Sequence, residues 1–428
     1  MSDMRAALST PSGRQAAMPF IMLTVLIDMV SIGLIIPVLP GLVGSFTQGS
    51  QADQAFWFGV VAFSFGIANF FGSPILGALS DRYGRRPVLL IGFCGLALNF
   101  FATALSTALW MLIIVRLVGG AMQSNIAVAN AYVADITAPE ERAKRFGMLG
   151  AMFGVGFIVG PAVGGLLGSE HLNLPFFAAG TLALLNLAYG FFVLPESLPV
   201  ERRSTHIDWS KANPIGALKQ LGQLKGVGTL MTTVALSSLA QFTLHTSWVL
   251  YTQFKFGWTP KENGYSLMAV GLMSVLVQGL LVGKLIKRYS PARLAMAGLI
   301  SQSVAFLCYG LVTEGWMLYL MIALNVMGYV APAAIQSMIS NAATPETQGQ
   351  TMGAVASLNS LTAVAAPVIG SVLLQTVSHY PKGDWHIGAP FYFCAALQAV
   401  ATVLAWRHFS KARDARKAEL AASGAAAE

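Results

Sequence analysis

Charge is what this 428-residue chain has least of. Asp, Glu, Lys and Arg make up 10% of it and hydrophobic residues 55%, where soluble domains carry about a quarter charged residues. A chain with so little polar surface cannot face water on all sides. Cysteine is also scarce: Cys94, Cys308 and Cys394 each fall inside an apolar run. They read as small packing residues, not as a disulfide framework or a metal site. No His-Glu-x-x-His, Gly-x-Ser-x-Gly or Gly-Lys-Ser/Thr phosphate loop occurs, so neither a common hydrolase site nor a nucleotide site is expected. Gly154-x-Gly156-x-x-x-Gly160 has the wrong spacing for a dinucleotide fingerprint, and no βαβ pattern surrounds it. The chain is expected not to be an enzyme and to need no cofactor, metal or nucleic acid. Any work it does must draw on an ion gradient.

What is present is a series of apolar runs of about 20 residues, the signature of transmembrane helices. They are continuous, where the strands of a membrane β-barrel would alternate polar and apolar residues. Twelve spans are expected, at 18–41, 56–79, 87–107, 109–132, 146–168 and 174–195, then 227–252, 262–285, 291–313, 315–339, 349–376 and 387–407. The fold class is therefore an all-α polytopic membrane protein. The first run is too long for a signal-peptide core and is read as a retained helix. The polar stretch between the two sets of six makes 1–195 one half, 196–226 a linker, 227–407 a second half and 408–428 a basic, then Ala-rich tail expected to fray. All basic residues except Arg116, Lys255, Lys261 and Lys382 fall on one side of this plan. By the positive-inside rule that side, with both termini, is cytoplasmic. The expected location is the cell membrane (inner or plasma membrane), with the lipid bilayer as the surrounding partner.

At an offset of 206 residues the chain repeats itself. Gly77, Leu79, Arg82 and Tyr83 meet Gly283, Leu285, Arg288 and Tyr289; Trp110 meets Trp316; Pro139 and Glu140 meet Pro345 and Glu346; Pro161 and Gly164 meet Pro367 and Gly370. Two parallel six-helix pseudo-repeats follow, the plan of a transporter whose site lies between halves that move about it.

Gly77-x-Leu79-Ser80-Asp81-Arg82-x-Gly84-Arg85-Arg86, between the second and third runs, resembles the loop signature of the major facilitator superfamily. Ile27-Asp28 with Gly33, Pro37 and Pro40, and Gly156-x-x-x-Gly160-Pro161-x-x-Gly164-Gly165, resemble the signatures of its twelve-helix drug:proton antiporters. The resemblance covers essentially the whole chain and is nearest to the tetracycline:proton antiporter branch. It implies efflux of a small amphiphilic, drug-like compound in exchange for protons by alternating access, by a protein expected to be a monomer. Uptake of a small solute on the same fold is the competing class, since fold alone does not set function.

Asp28 is the one acid well inside a span, about 15 Å from the basic end of its helix. An ionisable group there costs several kcal/mol unless paired or hydrated, so a functional role is the default. It reads as a proton carrier, or as an acid alternating between proton and cationic substrate; a fixed structural pair is the plainer alternative. Arg116, followed by Gly119-Gly120, sits in the fourth run. The resemblance implies a part in proton transfer; the long guanidinium can bridge towards Asp28, coupling the two, or snorkel to the outer interface. Asp81, Arg82, Arg85, Asp135 and Arg142 are, by the same resemblance, a gating charge network; a solvated cluster that sets topology is the bland reading. Gly156, Gly160 and Gly164 form one helix stripe that permits close contact, bent at Pro161. With Gly165 they are implied to seal the interface between halves and to favour antiport. Asn99, Gln123, Asn125, Gln241, His245, Gln302 and Gln336 are candidate cavity residues, with interhelical hydrogen bonds as the alternative. Phe63, Phe65, Phe242 and Trp248 are candidates for an apolar wall.

The chain also departs from the tetracycline branch. Asn99, Gln302 and Ser274 stand where those pumps carry two further acids and a histidine. This favours an uncharged, zwitterionic or monocationic substrate over a metal chelate. The linker, with His206, Asp208 and Trp209, reads as an interfacial helix.

Overall fold

The computed structural model describes residues 17–123, 125–207, 228–342 and 348–425. Among them all regular structure is helical. Six long helices form the first bundle: α1 Met18–Ser45, α2 Gln51–Tyr83, α3 Arg85–Ala104, α4 Leu109–Ile136, α5 Arg142–Glu170 and α6 Leu174–Val193. Six form the second: α7 Gly228–Phe256, α8 Pro260–Arg288, α9 Pro291–Leu311, α10 (the pair Gly315–Leu324 and Val326–Ala342), α11 Gln348–Val377 and α12 Ala389–Ala425. The tail expected to fray from His408 is instead helical as far as Ala425. Arg5, Arg14, Pro345, Glu346 and the linker helix expected around Asp208, Trp209, Lys211, Lys219 and Lys225 lie outside the described residues.

Ten of the twelve are long and apolar enough to cross a membrane singly, and α10 qualifies as a pair bent by 46°. The twelfth, α7, is 29 residues long but is diluted by Ser237, Ser238, Gln241 and His245. A spanning helix can carry such residues when they face a cavity instead of lipid.

Helix ends follow local chemistry. Ser50 caps α2 by accepting from Asp53 N–H at 3.2 Å. A Thr259–Glu262 capping box with Pro260 opens α8. Gly84, at φ +105°, closes α2 in a conformation that only glycine adopts easily.

Within the bundles α1 packs on α5 and α6, α2 on α4, α3 on α6, α7 on α11 and α12, and α9 on α10 and α12. Two helix pairs join the bundles, α5 with α8 and α2 with α11. One continuous core, including Val43, Ala55, Leu112, Leu244, Tyr309 and Phe391, spans both bundles on the face away from Arg85. On the Arg85 face the cores are separate, one around Tyr132 and Leu149 and others around Val234 and Leu294. The bundles are thus closed on one face and parted on the basic one.

Candidate functional site

The fourth helix breaks where the site is built. Gln123 is extended, at φ −93° and ψ 91°, which leaves carbonyls without helical partners. Asn69 of α2 takes them, its Nδ2 donating to Gly120 O at 3.3 Å and to Gln123 O. The next segment starts at Asn125, whose Nδ2 donates to Asp28 Oδ1 at 3.1 Å. Asp28 is 3% exposed and forms no ion pair among the described residues. It borders a narrow cavity with Thr24, Phe93 and Asn125, inside α1, α3 and α4 of one bundle. One turn earlier on α1, Thr24 O accepts from Asn186 Nδ2 at 2.9 Å. The break therefore supplies Asp28 with a neutral partner.

Arg116 is 4% exposed. Its Nε and Nη2 have no hydrogen-bond partner, and its guanidinium lies 6.0 Å from the centroid of the Phe65 ring. Among the described residues Arg116 and Asp28 form no ion pair or hydrogen bond with each other. Asn99 packs against Gly119, with its own Oδ1 unpartnered.

On the basic face, Arg85 is the centre of the charge cluster. Its Nη1 lies 2.5 Å from Asp81 and its Nε 3.0 Å from Asp135; Nη1 also donates to Ser80 Oγ at 2.6 Å. Arg82 and Arg142 stand apart. Arg82 lies over the Tyr83 ring, and Arg142 donates to Ala134 O at 3.4 Å. A residue outside the expected network completes it. Glu196, just beyond α6, accepts from the Arg85 N–H at 2.8 Å and the Arg86 N–H at 3.3 Å. It also approaches Arg203 at 3.7 Å, while Ser197 donates to Asp135 at 3.3 Å. Its one sequence signal is an acid directly after the Pro195 that ends an apolar run. At the degenerate copy around Gly283 no ion pair forms among the described residues.

The glycine stripe of α5 faces α1, not the second bundle. A Cβ on Gly160 would stand 2.7 Å from Gly33 Cα, and Gly156 and Gly164 press on Met29 and Leu34. Gly165 makes the approach to the other bundle, where a Cβ would lie 3.0 Å from Gly264 Cα in α8. Thus α5 has two glycine faces, with Gly165 and Pro161 O serving the interface.

In the second bundle α7, α9, α10 and α11 border a half-open cavity of about 240 Å³, lined in part by Ser237, Gln241, Phe242, Gln302, Gln336 and Asn359. Gln241 Nε2 is 3.0 Å from His245 Nε2, and Ser238 donates to Asn359 Oδ1 at 2.7 Å. Gln302 has a structural task as well. Pro332 has no N–H to give Gly328 O, and Gln302 Nε2 donates to that carbonyl at 3.0 Å. Trp248 is buried in the closed-face core with its Nε1 on Ser266, and Phe65 lies beneath Arg116. Of the proposed apolar wall, only Phe242 lines this cavity.

Two tightly joined six-helix bundles with a polar cavity and a buried carboxylate define a membrane transporter. The sequence matches the Major Facilitator Superfamily profile over residues 21–332 and 230–427, and the chain belongs to that family. It is 35% identical to the class C tetracycline resistance protein of Escherichia coli, over 86% of this chain and 92% of that protein. It is 29% identical to Multidrug resistance protein 2 of Bacillus subtilis (strain 168), over 83% and 88%. Among solved structures, the nucleoside transporter NupG matches with a TM-score of 0.73 at 14% identity, covering 92% of this chain and 99% of that one. That likeness speaks for the fold alone.

Proposed function

We propose that this protein is a proton-coupled exporter of a small amphiphilic drug-like compound, working by alternating access, with Asp28 as proton carrier. The observation that carries the reading is Asp28 itself: a carboxyl buried at mid-membrane depth whose side-chain partner is a neutral amide. A carboxyl placed this way is retained at a cost that a structural role does not require. The relatives named for tetracycline and multidrug resistance support efflux and make tetracycline the first compound to try. Residues 1–195 and 227–407 are the two moving halves, joined by 196–226. Arg116, with two unpartnered donors, is the second proton-coupling group. The Asp81–Arg85–Asp135 cluster is the latch of the basic face. That face is cytoplasmic by its arginines and lysines, with both termini on it, in the plasma membrane of a bacterium.

The test is substrate-induced proton release in everted membrane vesicles whose lumen has been acidified. Tetracycline should dequench a luminal pH dye in vesicles carrying the wild-type protein. Asp28→Asn should lower that signal at least tenfold at equal expression. An unchanged signal in the variant would remove Asp28 from the mechanism.

A further inference from the structure

We infer that substrate and proton are held in different bundles: the substrate binds as an uncharged or net-neutral molecule in the amide-lined cavity of α7, α9, α10 and α11, without touching Asp28. This rests on the efflux reading above and adds to it the place and charge class of the ligand.

Three observations carry it. The two cavities share no lining residue. The one beside Asp28 is bordered by α1, α3 and α4, and the larger one by the second bundle. Next, among the described residues no carboxylate lines the larger cavity. Among the described residues of the second bundle, Glu262 in the first turn of α8, Glu314 at the N-cap of α10 and Asp384 before α12 stand at the closed-face ends, and Asp414 and Glu419 lie in the C-terminal stretch of α12; Glu346, between α10 and α11, lies outside the described residues. A cation drawn into the cavity would give up water and meet no counter-charge. Finally, the wall offers neutral hydrogen bonding with capacity to spare. The Gln241–His245 and Ser238–Asn359 pairs use the Gln241 nitrogen and the Asn359 oxygen. An amide has donor and acceptor sites beyond those, so the Gln241 oxygen and Asn359 nitrogen remain for a ligand, with Phe242 as apolar surface. At about 240 Å³ the space lies just below the usual range of roughly 300–1,000 Å³ for small-molecule pockets, which suits a compact ligand. The proton and the substrate then cannot compete for one carboxylate. Exchange then rests on which rearrangement of the bundles each occupant permits, not on competition for one group.

Equilibrium binding to the full-length protein in lipid nanodiscs tests this. The probes are chloramphenicol (uncharged), tetracycline with EDTA (net neutral) and tetraphenylphosphonium (a permanent cation). At least one neutral probe should bind saturably, and the cation at least tenfold more weakly. Gln241→Leu, and independently Ser237→Phe, which fills the cavity, should raise the Kd of that neutral probe at least tenfold. Asp28→Asn should leave its Kd within twofold, and binding to the wild type should release fewer than about 0.2 protons per ligand in weak buffer. Overturning results are a tenfold rise in Kd on Asp28→Asn, stoichiometric proton release on binding, preference for the cation, or binding by none of the neutral probes. These readouts differ from the vesicle signal. Loss of proton coupling with the binding pattern intact would sink the antiport reading and leave this one standing.

Discussion

Glu196 shows how a single carboxylate can organise a charge cluster from outside it. The first N–H groups of any helix lack intrahelical acceptors, and at α3 the capping position is Gly84, which has no side chain to offer. The Glu196 carboxylate takes the Arg85 and Arg86 N–H groups instead. It thereby fixes the helix whose first residue holds Asp81 and Asp135. Glu196→Gln keeps one acceptor oxygen and loses the charge. It should lower stability by about 1–2 kcal/mol, as for a weakened charge-assisted bond, seen as a lower unfolding temperature in detergent. Turnover should fall several-fold with little change in substrate affinity, because the cavity is far from this turn; a change confined to affinity would speak against a gating role. The burial of Asp28 was legible in the sequence because the acid stands in the middle of an apolar run. Glu196 was not, because an acid at the start of a polar linker has many, and only the fold brings it back to a turn more than a hundred residues earlier.

At the level of elements, the positions of the helices were readable from apolar length, and their interruptions were not. The breaks at Gln123 and Asn325 carry no proline at the break itself, and the π-helical turn Val277–Val282 of α8 sits in an ordinary apolar run. The first depends on Asn69 of a neighbouring helix, which takes the displaced carbonyls, and Gln302 does the same for Gly328 O, which Pro332 leaves free. Nor does periodicity say which neighbour a glycine stripe meets. Spacing put Gly156, Gly160 and Gly164 on one face, but that face meets α1. The two faces of α5 make separable predictions. Gly160→Val overpacks α1 against α5 and should cost about 1–3 kcal/mol, with the distance between the bundles unchanged. Gly165→Val wedges α5 from α8 on the closed face. It should lengthen the distance between spin labels at the closed-face ends of those helices and slow turnover more than it lowers the unfolding temperature. If Gly165→Val left that distance as in the wild type, the assignment of Gly165 to the moving interface would fail.

Across the whole molecule, the twelve-helix plan and the basic face followed from lipid-length runs and from where lysine and arginine fall. The conformational state did not, because one sequence must support both arrangements of the bundles. In the state described, a shared core closes the face away from Arg85, and one polar contact there joins the bundles directly: Gln54 Nε2 of α2 donates to Gln253 Oε1 of α7 at 3.2 Å. The same nitrogen donates its other N–H to Pro40 O at 2.8 Å within its own bundle, so without Gln253 the Gln54 amide stays anchored through one of its two donors. Gln253→Ala therefore removes a contact specific to this state, worth about 0.5–1.5 kcal/mol net, and should shift the equilibrium towards opening on that face by roughly two- to twelve-fold. Spin labels at the closed-face ends of α2 and α7, read by double electron–electron resonance without substrate, should show a longer-distance population growing by that factor. Gln54→Ala should produce a similar shift with a larger loss of stability, because it also breaks the bond to Pro40. Equal distance distributions in Gln253→Ala and the wild type would mean that the apolar core alone holds the face shut.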